Sequence, residues 1–226
     1  MIRCEALGAR LGQREVLQRV TLDLDARTIA VIGDNGSGKS TFARLVAGLV
    51  RPSAGALRVL GLDPQRDAAE LRRRVALVLS NPDAQIVMPT VADDVALSLR
   101  PERLPHEVRD GRVAAALRRF GLEDLADRPS HDLSGGQKQL LALCGAFVRE
   151  PHLVIADEPT AFLDARNARL VVDHLLADTG HALLVITHDL ALARRCERAV
   201  LFAEGRVVAS GASAEVVDAY AAAVAC

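Results

Sequence analysis

The chain has 226 residues, 50% hydrophobic and 25% charged, enough apolar material for one full core and too little length for several ordinary domains. Its 28 basic and 29 acidic residues leave a formal net charge of -1, which excludes a global attraction to nucleic acid or to an anionic membrane surface. Cys4, Cys144, Cys196 and Cys226 lie far apart with no CxxC pair; this excludes a cysteine metal knuckle and a secreted disulfide frame, and the four read as free thiols of a reducing cytosol.

The opening Met1-Ile2-Arg3-Cys4-Glu5 carries no basic-then-apolar leader, and no uninterrupted apolar run approaches the ~18 residues that span a bilayer. A membrane role therefore requires a partner that supplies the spans. Val20, Leu22 and Leu24 alternate with Thr21, Asp23 and Asp25, the period of a half-exposed strand. Residues 28–32 form a short apolar run, as in a strand buried on both faces. Gly33 to Thr41 follow, then Phe42, Leu45, Val46 and Leu49 at helical spacing, with Arg51-Pro52 as the expected helix stop. A second buried-strand run, 75–79, precedes the turn Ser80-Asn81-Pro82-Asp83, and the residues to about 149 read as helices with polar breaks. From Leu153 a strand (153–156), a helix (about 169–176) and a strand (182–186) alternate, the pattern of parallel strands with crossover helices. Residues 199–202 and 206–209 flank Glu204-Gly205 as a hairpin.

Three polar sites punctuate these elements. Gly33-Asp34-Asn35-Gly36-Ser37-Gly38-Lys39-Ser40 fits G-x-x-x-x-G-K-[ST]: small residues let backbone N–H groups turn toward phosphate oxygens, and the following helix aims its positive end at them. Lys39, one of only two lysines in the chain, reaches the outer phosphates, Ser40 offers its hydroxyl to Mg²⁺, and Thr41 is placed for a further phosphate contact. The run 153–156 ends in Asp157-Glu158-Pro159-Thr160, at the strand edge where α/β sheets bind ligands. Adjacent carboxylates there project differently, which suits Asp157 as Mg²⁺ ligand and Glu158 as general base. Ile186-Thr187-His188-Asp189 brings His188 to the same edge; His106, His131, His152, His174 and His181 read as surface or core histidines without a ligand role.

Leu133-Ser134-Gly135-Gly136-Gln137 resembles the signature of ABC nucleotide-binding domains. Glycine loop, signature, Asp-Glu-Pro-Thr and histidine recur in that family's order over nearly the whole chain. The resemblance implies an α/β fold: a P-loop NTPase (RecA-like) core with a mainly parallel sheet, an N-terminal antiparallel β portion and an inserted helical subdomain. It implies one domain over 1–226, with 1–80 and 150–226 as the core and about 81–149 as the helical part. It further implies ATP and Mg²⁺ as cofactors, and a second ABC ATPase domain, a copy or a homologue, packed head to tail. ATP is then sandwiched between the Gly33 to Thr41 loop of one domain and Ser134, Gly135, Gly136 and Gln137 of the other. His188 is implied at the γ-phosphate and attacking water, and Asp164 as the link between the two sites.

The sequence departs from the family pattern in three places. Leu11 stands where the family has an aromatic ring on adenine, so weak base stacking and poor base selection are expected. Ser80 replaces a glutamine at the end of the middle strand, with Ser80 or the nearby Gln85 expected to take over its role. Ala161-Phe162-Leu163-Asp164 replaces the more usual Ser-Ala-Leu-Asp. The stretch Asn81 to Ala96 is similar to the ATPases of energy-coupling-factor importers, and Ser80 with the short C-terminus looks most like the biotin-transporter ATPase, cobalt or nickel being next. This resemblance implies a transmembrane coupling protein and a substrate-binding membrane subunit as partners, a seat on the cytoplasmic face of the membrane, and no nucleic acid. The competing classes are a soluble ABC ATPase acting on DNA or the ribosome, disfavoured by the absence of a second nucleotide domain or sustained heptads, and a non-hydrolysing regulator, disfavoured by Glu158 and His188.

Overall fold

A computed structural model describes residues 1–177 and 180–224; Cys226 lies outside the described residues. The chain opens with a hairpin of β1 (Ile2–Leu11) and β2 (Arg14–Leu24), turned through Gly12 at φ +60°. β3 (Thr28–Gly33), α1 (Lys39–Val46), β4 (Ala54–Val59), α2 (Ala68–Arg74) and β5 (Val75–Val78) follow. The chain is then helical, with α3 (Val91–Leu99), α4 (His106–Arg119) and α5 (Gly135–Phe147) joined by short 3₁₀ turns. The last third runs β6 (Leu153–Asp157), α6 (Ala165–Leu176), β7 (Ala182–Ile186), α7 (Leu190–Arg194), β8 (Arg198–Ala203), β9 (Arg206–Ala212) and α8 (Ser213–Val224).

Two sheets result. β2-β1-β4 is antiparallel, and β5-β6-β7-β3-β8-β9 is parallel except for the β8–β9 pair. The apolar runs of β3 and β6 are fully buried because both faces of the larger sheet are covered, whereas Leu77 on the edge strand β5 and Ala182 at the start of β7 stay half-buried. Ile29, Val31, Ile155, Ile186 and Phe202 face α1 and the antiparallel sheet. Ala30, Ile32, Val154, Ala156 and Val185 face the helices on the other side, in a cluster with Val95, Leu117, Leu141, Phe147, Val171 and Val217. At about 1.5–3 kcal/mol for each large side chain taken from water, these two layers dominate the folding energy.

One helix boundary differs from expectation. α1 ends at Val46, well before Arg51-Pro52, because Gly48 takes φ +71° while its N–H donates to Leu45 O and the Leu49 N–H donates to Arg44 O at 2.8 Å. This pair of bonds is the glycine-terminated Schellman stop, and it leaves Leu49 61% exposed rather than on the buried helix face. β1, β4, α2 and α8 are elements that the sequence patterns did not delimit. Cys4, Cys144 and Cys196 are buried and free, and burial pushes each thiol up to about 12.

Candidate active site

The parallel sheet brings the polar ends of β3, β6 and β7 to one edge: Asp157 lies opposite Ile186, and Ile186 opposite Val31. Thr187-His188, Glu158 and the glycine loop therefore leave the sheet side by side. Gly33, closing β3 at φ +132°, admits no side chain, since a Cβ there falls 2.0 Å from Phe202 O on β8. Gly38, at φ +104°, opens α1 without any side-chain cap, so the first N–H groups of that helix face the loop with their positive dipole end. The buried Lys39 turns back over the loop, its Nζ donating to Gly33 O at 2.7 Å and Asp34 O at 2.8 Å. Burial lowers the Lys39 pKa, while the charges of Glu158, Asp157 and Asp34 oppose that shift. A lysine ammonium beside the first N–H groups of a helix is an arrangement suited to an anion.

Across from the loop, Ser40 Oγ donates to Asp157 Oδ1 at 3.0 Å. Asp157 is 8% exposed, and burial raises its pKa against the opposing pull of the Ser40 bond, Arg44 and Lys39. Glu158 takes a left-handed φ of +51° and its N–H donates to Ile186 O at 2.9 Å. That hook turns its side chain to His188, whose Nδ1 lies 2.8 Å from Glu158 Oε2. His188 itself is exposed, so it meets whatever enters the edge. A cavity of about 320 Å³ joins Lys39, Ser40, Thr41 and Glu158 with Asn35, Gly36, Gly38, Leu11, Arg14 and Val16; a second of about 510 Å³ adds Asp34 and Ser37.

Ser134, Gly135, Gly136 and Gln137 line neither of these two cavities. They form the start of α5, where Ser134 Oγ accepts the Gln137 N–H at 3.3 Å and Gln137 Oε1 accepts the Ser134 N–H at 2.9 Å. This reciprocal box commits the Gln137 side chain to its own helix. Gly136 is buried against Asn167: a Cβ there would sit 2.3 Å from the Asn167 side-chain carbon. Asn167 is held in turn by Asp164, the cap of α6, through its backbone N–H at 2.9 Å and its Nδ2 at 2.7 Å. Those two bonds, led by the backbone N–H, hold the Asp164 carboxyl below its usual range. Between Glu158 and Asp164, Phe162 stands 99% exposed at φ +63°.

Gln85 is not free to act at the site. Its Oε1 accepts from Leu79 N at 2.7 Å and its Nε2 donates to Leu77 O at 2.9 Å, so the carboxamide closes the open edge of β5. Ser80 remains half-buried at the end of that strand. Among the other histidines, His181 and His174 pack against Phe147 and Phe120, and His131 and His152 are exposed. Sequence reasoning overlooked Arg14, Asn167 and Tyr220. Arg14 pairs with Leu11 across the Gly12-Gln13 turn, so both side chains share a face; reading that hairpin would have found it. Tyr220 Oη donates to Asp34 Oδ1 at 2.7 Å, a contact with no local signal.

The ABC transporter family model matches residues 17–161. The biotin transport ATP-binding protein BioM of Rhizobium etli is 41% identical over 97% of both chains. The energy-coupling factor transporter ATP-binding protein EcfA1 of Bacillus subtilis is 36% identical over 91% of this chain and 75% of its own. Among solved structures, CbiO1 of Clostridium perfringens, part of the ABC transporter complex CbiONQ, superposes with a TM-score of 0.86 at 31% identity, covering 96% of this chain and 90% of the other. A dimeric ATP-binding cassette in a post-hydrolysis state with ADP and phosphate gives a TM-score of 0.82 at 26% identity, covering 94% of this chain and 99% of the other. With a strand-loop-helix anion cradle, a buried carboxylate and a glutamate–histidine pair at one sheet edge, this chain belongs to the ABC transporter family as an ATP-binding, ATP-hydrolysing subunit.

Proposed function

We propose that the chain is the ATPase of an energy-coupling-factor importer, with biotin as the first candidate cargo and a transition-metal ion as the second. The observation that carries its chemistry is the meeting of two pairs at the loop: Ser40 with Asp157 at 3.0 Å, and Glu158 with His188 at 2.8 Å. In this reading Gly33, Asp34, Asn35, Gly36, Ser37 and Gly38 wrap the phosphates of ATP with backbone N–H groups, and Lys39 leaves its carbonyl partners for the outer phosphate oxygens. Thr41 adds a contact from the first turn of α1. Ser40 and Asp157 hold Mg²⁺: a hydroxyl and a buried carboxylate converging on one point are a hard-oxygen donor set that suits it. When bound there, Mg²⁺ would supply charge neutralisation to the phosphates. Glu158 accepts a proton from the attacking water as general base, and His188 orients that glutamate and the water. Leu11 and Arg14 form the seat of the base.

A second copy or a homologue completes the site. Ser134, held at the start of α5 by Gln137, presents its hydroxyl, and Gly135 and Gly136 their N–H groups, to the far side of the nucleotide. Asp164, through Asn167 behind Gly136, links the two sites. The full exposure of Phe162 beside this loop supports a partner surface there. Residues 1–80 and 150–226 act as the catalytic core and about 81–149 as a helical subdomain that carries the signature. No helix among the described residues is long and apolar enough to cross a membrane, so the proposal assigns the spans to a transmembrane coupling protein and a substrate-binding membrane subunit. The chain then sits at the cytoplasmic face, with no nucleic-acid partner. The relatives' own transport roles support the cargo: biotin for BioM, and energy coupling for EcfA1.

The test is to solubilise native membranes in mild detergent, capture the tagged chain and identify its companions by mass spectrometry. Recovery of a coupling protein with a substrate-binding membrane subunit, and loss of biotin uptake in cells carrying Lys39→Ala, is the expected result. Recovery of ribosomal or DNA-bound proteins alone overturns the importer.

A further inference from the structure

Asp34 is an acid in a loop whose other features favour anions. Its main-chain oxygen accepts from Lys39 Nζ at 2.8 Å, and its carboxylate lies near enough to Lys39 to act on that ammonium. An ionised carboxylate free at this mouth has two adverse choices: it faces incoming phosphate oxygens as a like charge, or it pairs with Lys39 and withholds the cation from them. A third partner removes the conflict. Tyr220, the only tyrosine of the chain, reaches from α8 and donates its hydroxyl to Asp34 Oδ1 at 2.7 Å across 186 positions of sequence. α8 is seated independently of that contact. Val216 and Val217 are buried, Ser213 Oγ donates to Ala193 O, and the Tyr220 ring itself packs against the apolar cluster beneath the helices.

We propose that Tyr220 is a positioning residue for nucleotide binding: its hydroxyl holds the Asp34 carboxylate toward α8 and so keeps Lys39 available to phosphate. The seating of the C-terminal helix then sets nucleotide affinity from outside the loop. A hydrogen bond between a hydroxyl and a carboxylate is among the stronger side-chain contacts, and here it directs a charge rather than merely joining two elements.

The inference rests on the reading of Gly33 to Thr41 as the phosphate cradle, and the experiment separates the two. ATP·Mg²⁺ affinity of the full-length chain is measured by competition with a fluorescent nucleotide, alongside turnover at saturating ATP, for the wild type, Tyr220→Phe, Asp34→Asn, the double variant and Lys39→Ala. Tyr220→Phe is expected to weaken ATP binding roughly 3- to 10-fold, with saturated turnover within about twofold and the melting temperature of the nucleotide-free protein lowered by no more than a few degrees. On the Asp34→Asn background, where no charge remains to be directed, the same change is expected to do nothing further. Unaltered affinity in Tyr220→Phe, or an equal penalty on both backgrounds, overturns the proposal, the second outcome because the effect then runs through the packing of α8. Wild-type affinity in Lys39→Ala overturns the phosphate cradle instead.

Discussion

Two glycines of the same loop are expected to respond very differently to an added methyl. At Gly33 the new Cβ falls 2.0 Å from Phe202 O, and Gly33 is paired with Phe202 at the end of the β3–β8 ladder. Relief requires the strands to part by more than about 1 Å, since real Cβ atoms stay beyond about 3 Å from such an oxygen. Parting them loosens Phe202, which is fully buried with its ring centroid 5.3 Å from that of Phe42. One lost ladder bond at about 1 kcal/mol, a left-handed Cβ penalty of about 1–2 kcal/mol and part of the ~3–5 kcal/mol of a buried phenylalanine sum to roughly 3–5 kcal/mol. At Gly36, with φ +80° and no atom within 4 Å of the new Cβ, only the backbone term of about 1–2 kcal/mol remains. For a chain of this size each kcal/mol moves the melting temperature by about 2–4 °C. Gly33→Ala should therefore melt about 6–20 °C below the wild type, and Gly36→Ala about 2–8 °C below, both by differential scanning fluorimetry without nucleotide. Equal shifts for the two variants, or a Gly33→Ala protein melting beside the wild type, refute the close-approach argument.

Three further outcomes follow from the same geometry. Glu158→Gln keeps the shape of the side chain but removes the base, so turnover should fall at least about 100-fold while ATP binding persists; undiminished steady-state hydrolysis excludes Glu158 as the base. Asp157→Asn should abolish Mg²⁺-dependent turnover yet raise the melting temperature of the nucleotide-free protein at neutral pH. Burial raises the Asp157 pKa, so the folded state holds that proton more tightly than the unfolded one and ionised Asp157 opposes folding. The gain of the variant should shrink as pH falls through the carboxylate range; a gain independent of pH contradicts the assignment. Gln85→Ala removes both carboxamide bonds from the edge of β5, which should cost about 1–2 kcal/mol in thermal stability with turnover per folded molecule unchanged. A loss of coupled activity without loss of stability returns Gln85 to the reaction.

What the sequence by itself determined is local. The apolar runs at 28–32, 153–156 and 182–186 declared strands buried on both faces, and the chemistry at their ends, Gly33 to Ser40, Asp157-Glu158 and His188, was legible because fixed spacing and strand polarity suffice to bring it to one edge. The signature and Asp164 were legible only through family resemblance, since Ser134 and Gly136 carry no chemistry of their own. The end of α1 was misjudged in favour of Arg51-Pro52, although Gly48 supplied a nearer stop. What only the tertiary structure decided depends on pairs distant in sequence or on the choice between rival partners. Gln85 binds the backbone of β5, Asn167 fills the space behind Gly136, Arg14 lines the cavity at the glycine loop with Leu11, and Tyr220 holds Asp34. Each is a polar side chain whose partner is fixed by how the layers stack, and hydrogen bonds of that kind leave no period in the sequence from which to read them.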